Sequence, residues 1–457
     1  MTELDRTSLD AFTERHRARF EADLRTLVEI PSVSADPAHT QDMRRCAEAA
    51  RDILAEAGAE AEILETSGQP MVFGRIGQEP SFPTILIYNH LDVQAANEPA
   101  WRTDPFELVI DDDIYRGRGT TDNKGPALTA LLGALAAREA GVEVNIKFLW
   151  ELEEEIGSPG FYSAVEKHED LLTTDSVLVS DTIWLAHGQP STPAGLRGMQ
   201  AFTLSLETGD HDVHSGLVSG AARNPLAELM TLIGEMFDGR TGHVKIPGFY
   251  DDVEDLTVAE CLEFARSGFK LDSFIGTHNL YSLRSDDPLD VMARTWAQPT
   301  MEIHGVTGGY SGPGIKAWVP GRAEVKMSCR LVPNQRAEDI LHRVAAFVAE
   351  RAPEVKLVPD IRIEPYKGRT SGPYADALRE AYRFGFHEKP AFTREPGSIG
   401  AVWVMEELLG AEIYFLGLSL PSHHYHAPNE NYDWGQVQGG APAFARYLEQ
   451  CSLIHRR

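Results

Sequence analysis

The sequence predicts an α/β fold: a mixed, largely parallel sheet flanked by helices, interrupted by an inserted unit of α+β character. Three observations carry this. Short, nearly all-apolar runs such as Thr84-Ile85-Leu86-Ile87-Tyr88 have the composition of strands buried on both faces. Such runs alternate with helical patterns up to about Gly195 and again from about Pro373. Between those points apolar and polar residues alternate instead, as in strands with one exposed face.

From the N-terminus, Leu9, Phe12, Phe20, Leu24, Leu27 and Val28 recur at helical spacing from about Asp5 to Glu29, and Pro31 ends the pattern. A helix is expected from Thr40 to Ala57, stopped by Gly58, and an Ala- and Leu-rich helix from Gly125 to Glu139. Thr84–Tyr88, Val144–Trp150 and Ser176–Val179 are the strands of this part. In the middle, Ala201–Thr208, Ala323–Leu331 and Val355–Ile363 are strands, Pro225–Phe237 and Gln335–Glu350 helices, and Asp238–Pro299 is irregular with one helical piece. The α/β pattern resumes with a helix at Tyr374–Phe384 and a strand at Glu412–Leu416. This gives one unit from residues 1–196 and 373–457, and an inserted unit over 197–372.

The chain of 457 residues supports two or three cores, and its 42% hydrophobic content is that of a globular protein. A net charge of −27 opposes binding to phosphate backbones, so nucleic acid is not an expected partner. Cys46, Cys261, Cys329 and Cys451 form no C-x-x-C pair and lie at no metal spacing, as in a reduced, cytoplasmic protein. The charged start Met1-Thr2-Glu3-Leu4-Asp5-Arg6 is not a signal peptide, and no apolar run is long enough for a membrane span.

The chemistry lies just past the carboxyl end of each predicted strand. His90 and Asp92 come after the first, Glu151, Glu153, Glu154 and Glu155 after the second, and Asp181 after the third. A loop with His423, His424 and His426 comes after the last, and Asp122 sits in a Gly-rich loop before a helix. Open α/β sheets bind ligands at the carboxyl ends of their strands. Taken alone, each feature has a plain structural meaning: a surface pair, a solvated glutamate run, a helix N-cap at Asp122. Together they deliver imidazoles and carboxylates repeatedly to one edge. Histidines and carboxylates without a thiolate suit zinc, manganese or cobalt. Two such ions ~3.5–4 Å apart need a bridging carboxylate, and a further carboxylate must move the proton of the attacking water.

The motifs His90-Leu91-Asp92-Val93-Gln94, Gly117-Arg118-Gly119-Thr120-Thr121-Asp122-Asn123-Lys124-Gly125, Glu154-Glu155-Ile156-Gly157-Ser158, Ser180-Asp181, His214-Ser215-Gly216 and His426-Ala427-Pro428-Asn429-Glu430 occur in this order over nearly the whole chain. In these residues the chain resembles the dinuclear zinc peptidase family of carnosinase, cytosolic non-specific dipeptidase, glutamate-releasing carboxypeptidase, aminoacylase and succinyl-diaminopimelate desuccinylase. The stretch Gly308 to Pro333 is similar to the dipeptidase branch.

The resemblance implies roles. His90 and Asp181 bind one metal, Glu155 and His426 the other, and Asp122 bridges them, with zinc expected first and manganese or cobalt as alternatives. Glu154 is the general base, acting on a water activated by both metals, and Asp92 orients the His90 imidazole. The Asp122–Asn123 peptide is expected to be cis. The inserted unit becomes a ferredoxin-like lid and dimerisation domain. Its His214 stabilises the oxyanion in the partner subunit of a homodimer, and Arg330 holds the substrate carboxylate. Ser398 belongs to the same carboxylate pocket. An ordinary loop histidine and a strand-end ion pair are the plain alternatives for His214 and Arg330, and a plain turn for Gly308–Gly314. Three positions depart from the family pattern: Asn89 for Gly, Ala95 for Pro, and Gly400 for Pro in Gly397-Ser398-Ile399-Gly400. The implied activity is metal-dependent cleavage of dipeptides or short peptides with a free carboxylate. An N-acyl-amino-acid deacylase, the desuccinylase, or a non-catalytic metal-binding scaffold are the competing functions.

Overall fold

The computed structural model describes residues 4–454. Its main sheet has six strands in the spatial order Glu60–Leu64, Met71–Ile76, Asn145–Glu151, Thr84–His90, Ser176–Val179, Glu412–Phe415. Met71–Ile76 runs opposite to the other five strands. Thr84–His90 is buried from Ile85 onward because helices cover both faces of the sheet. On one face lie the N-terminal helices, the Ala-rich helix Gly125–Glu139 and the long helix Trp434–Ile454. On the other lie Phe161–Lys167 and Gly400–Leu409.

The middle of the chain forms a second sheet of four strands, in the order Thr300–Thr307, Arg322–Leu331, Gly198–Glu207, Lys356–Ile363, with every pair antiparallel. With helices Pro225–Met236 and Ala337–Arg351 on its buried face, this is a ferredoxin-like βαββαβ arrangement. The alternation in Gly198–Glu207 is that of a strand with one face packed and one partly open, as expected from Phe202, Leu204 and Leu206.

Two stretches differ from expectation. The first helix is two, Arg6–Arg15 and Arg17–Val28, because His16 leaves helical geometry and its Nδ1 lies 2.8 Å from Phe12 O. The segment after Phe237 holds three helices, Val258–Arg266, Leu271–Thr277 and Pro288–Trp296. The first opens on a capping box of Thr257 and Glu260, and the last on Asp287 with Pro288 behind it. This segment packs back on strand Ala391–Glu395, where Glu260 pairs with the buried Arg394. All four cysteines are free, and Cys46, Cys329 and Cys451 are buried. Among the described residues no helix is long and apolar enough to cross a membrane.

Candidate active site

The parallel strands end at one edge, and that edge gathers the side chains the sequence singles out. His90 closes its strand, Asp181 comes just after Ser176–Val179, and Glu154 and Glu155 open a short 3-10 turn after Asn145–Glu151. His90, Asp122 and Asp181 offer ligand atoms all within 4.8 Å of one another, and so do Asp122, Glu155 and His426. Asp122 belongs to both sets through different oxygens. Its Oδ1 lies 2.9 Å from His90 Nε2, and its Oδ2 lies 2.7 Å from His426 Nε2. Asp181 Oδ2 is 3.7 Å from His90 Nε2, and Glu155 Oε2 is 3.3 Å from His426 Nε2.

The loop that carries Asp122 is fixed from below. The buried Glu430 carboxylate accepts from the backbone N–H of Thr121 and Asp122 through Oε1, at 3.0 and 3.1 Å. Its Oε2 accepts from Gly119 N and from Arg118 Nη1, at 3.0 and 2.9 Å. A second tie runs from Asp433 through His423 to the Thr121 hydroxyl. The Asp122–Asn123 peptide is cis. The departure at Asn89 has a use: its Nδ2 donates to Asn123 Oδ1 and to Ser180 O, beside the loops that carry Asp122 and Asp181.

The four glutamates at and just past the end of strand Asn145–Glu151 have different fates. Glu151 is buried and accepts from Tyr88 Oη at 2.6 Å. Glu153 accepts from Gln69 N and Gly160 N, joining two loops. Glu155 Oε2 receives Gln94 Nε2 at 2.6 Å while its Oε1 is buried without a partner. Glu154 has no hydrogen-bond partner for its carboxylate among the described residues, which leaves both oxygens free for a proton. Asp92 meets His90 Nδ1 with its carbonyl at 3.0 Å and its carboxylate at 3.4 Å. That carboxylate also accepts from the N–H groups of Glu154 and Glu155.

So many buried carboxylates disturb one another. Burial, then the Asp181, Glu155 and Asp92 charges, push Glu154 well above the usual range, against His90. Burial and Asp122 bring Glu155 up to about 7. Burial works to raise Asp122 as well, but its contacts with His426 and His90 outweigh it and hold the carboxyl low. Burial works to lower His426, and Asp122 and Glu155 outweigh it, taking the imidazole up to about 11. The cluster thus favours protons on His90 and His426 and on the Glu154 and Glu155 carboxyls. A divalent ion reverses that logic, because it takes the imidazole lone pair and screens the carboxylates. Two features fit such ions: the orphaned Glu155 Oε1, and an Asp122 Oδ2 that nears His426 Nε2 without hydrogen-bond alignment. The donor set, nitrogen and oxygen only, suits zinc-like metals.

Arg330 and Ser398 are brought together as well: Arg330 Nη1 donates to Ser398 Oγ at 2.9 Å, and that hydroxyl donates to Arg197 O. Arg197 stands beside them, its guanidinium lowered to about 10 by burial and by Arg330. The loop with Gly400 is tethered through Arg197 N to Gly397 O and Arg197 Nε to Pro396 O. His214 is exposed at the end of a two-residue strand, and its Nδ1 accepts from Gly216 N. In the glycine loop, Tyr310 Oη donates to Pro313 O and Lys316 stands 3.6 Å over the Trp318 ring.

Sequence reasoning missed Arg197 and Tyr425, neither of which has a telling spacing. Glu430 stood out only as the end of a motif, with no role; its place four residues after His426 was the available signal.

The sequence profile of "Peptidase family M20/M25/M40" matches residues 86–450. The chain is 29% identical to Beta-Ala-His dipeptidase of Homo sapiens over 467 aligned positions, covering 97% of this chain and 92% of that protein. It is 30% identical to Cys-Gly metallodipeptidase DUG1 of Candida albicans, covering 95% of each. Among solved structures, the M20 family metallo-carboxypeptidase Sso-CP2 from Sulfolobus solfataricus superposes with a TM-score of 0.89 at 26% identity, over 95% of this chain and 99% of that one.

Proposed function

The chain belongs to the M20/M25/M40 peptidase family, and from that premise we propose that it is a dinuclear metallodipeptidase. On this proposal it cleaves dipeptides or short peptides that carry a free carboxylate. The observation that supports this most is Asp122, whose two oxygens face two different histidines, each with a further carboxylate beside it. His90 and Asp181 would hold one ion, Glu155 and His426 the other, and Asp122 would serve both. The ions, zinc first among the candidates, supply a lowered water pKa and a polarised carbonyl when bound.

The rest of the chemistry belongs to the chain. Glu154, its carboxylate unpartnered beside the ligand set, takes the proton of the attacking water and hands it to the leaving nitrogen. Asp92 fixes the His90 ring and the backbone of Glu154 and Glu155 together. Arg330, its guanidinium set by the Ser398 hydroxyl, holds the substrate carboxylate. Residues 197–372 form the lid and dimerisation unit of a cytoplasmic homodimer, and His214 completes the partner's site as oxyanion donor.

Replacing Glu154 by Gln tests the mechanism. Divalent metal binding should persist while turnover of free dipeptides falls by about 10²–10⁴-fold. An unchanged rate removes Glu154 from the chemistry. A parallel panel of N-acetyl and N-succinyl amino acids tests the substrate class: metal-restored cleavage of these alone moves the protein to the deacylase branch.

A further inference from the structure

Tyr425 lies between two histidines of the ligand loop and takes no part in the chemistry above. It touches both half-sites. Its ring stacks on the His426 imidazole, with centroids 4.9 Å apart and planes at 28°. Its hydroxyl reaches the other half, where Oη donates to Asp181 Oδ1 at 2.9 Å. A phenol donates one hydrogen bond, and a carboxylate accepts it, so the direction is fixed. The neighbours His424 and His426 both have positive φ, 58° and 55°, so the backbone on either side of Tyr425 is left-handed.

Asp181 Oδ1 receives a second donor, Asn123 Nδ2 at 3.3 Å. Asn123 is itself held, donating to Ser180 O at 2.7 Å and accepting from Asn89. One oxygen of Asp181 is thereby occupied from two sides, and the other, Oδ2, is the one that faces His90. A phenylalanine at 425 would keep the stack on His426 and lose the hold on Asp181. The two contacts are separable, and each acts on a different half-site.

We infer that Tyr425 is a positioning residue that presents Asp181 Oδ2 to the ion shared with His90, and so ties the geometry of one half-site to the loop that carries the ligand of the other. This rests on the two-ion reading of the site.

The test uses the full chain stripped of metal and titrated calorimetrically with Zn²⁺. Tyr425→Phe is made in two backgrounds. His426→Ala leaves the set His90, Asp122 and Asp181; His90→Ala leaves Asp122, Glu155 and His426. Losing such an outer hydrogen bond should weaken Zn²⁺ binding by about 10–100-fold in the first background and by less than about threefold in the second. A residue that served only the fold would weaken both alike or neither, and either result overturns the inference. So does a metal-free Tyr425→Phe protein that has lost its native near-ultraviolet circular dichroism. Wild-type protein that binds no Zn²⁺ overturns the two-ion reading itself. Wild type and Tyr425→Phe that bind equally, in every background, overturn only the role of Tyr425.

Discussion

Glu430 offers the sharpest test of how the site is held. Its carboxylate is fully buried and accepts four hydrogen bonds, from Gly119 N, Thr121 N, Asp122 N and Arg118 Nη1. Burial, and after it the Asp122 charge, push this carboxyl up; Arg118 and the backbone donors oppose them. Replacing Glu430 by Ala leaves the Arg118 guanidinium, 1% exposed, without its partner. Breaking a buried ion pair from one side costs about 3–5 kcal/mol. Three backbone donors lose their acceptor as well, at about 1–3 kcal/mol for each that water does not reach. These terms overlap, so the expected loss is at least about 4 kcal/mol. Glu430→Gln keeps the shape, but its NH₂ must face one pair of donors whichever way the amide turns, which predicts an intermediate loss of about 2–4 kcal/mol. Equilibrium urea unfolding of the metal-free protein, monitored by tryptophan fluorescence, measures both. An Ala variant within about 1 kcal/mol of wild type would refute the idea that this carboxylate holds the Asp122 loop.

The same geometry makes three further outcomes testable. Metal removal should lower the thermal midpoint, because a ligand at 100 times its dissociation constant stabilises by about 2.7 kcal/mol; identical scans with chelator and with Zn²⁺ would count against a built metal site. Glu151 is raised by burial to about 8 from the ordinary 4.5, so the folded chain keeps a proton there that the unfolded chain loses. Its contribution to stability therefore declines as pH rises from about 4.5 to about 8, and Glu151→Gln should flatten that decline in pH-dependent unfolding. Mixing a His214→Ala chain with a Glu154→Gln chain should regenerate dipeptide cleavage if the site is shared; inactive heterodimers, their formation verified by mass, would show that it is not.

Much of the fold and site was legible in the residues, for identifiable reasons. Strands such as Thr84–His90 and Ser176–Val179 are buried on both faces, so their runs are continuously apolar and stand out. His90, Glu154, Glu155 and Asp181 come at or just after the ends of such strands, which is why their gathering at one edge was readable from the chain alone, while Asp122 and His426 lie in separate loops. Strand Glu60–Leu64 escaped notice because it is an edge strand with exposed glutamates at alternate positions. Helix Trp434–Ile454 escaped because it is buried over most of its length, so no polar face marks its period, and Pro442 interrupts the pattern. Arg197 and Tyr425 act through contacts to Ser398 and Asp181, some 200 or more positions away in the chain, and local spacing carries no trace of such pairs.

The loop between Leu416 and Trp434 supplies a ligand candidate in His426, the Tyr425 hydroxyl, the His423 tie to Thr121 and the four-bonded Glu430. Every one of these reaches residues made much earlier on the ribosome. During synthesis Asp122 and Asp181 can meet His90 early, while Glu155 and the second Asp122 oxygen wait for His426 on this loop. A nascent chain halted before Ser419 would carry the sheet edge and His90 but no closed second half-site. The second half-site should accordingly close after the first, whose His90, Asp122 and Asp181 all precede this loop.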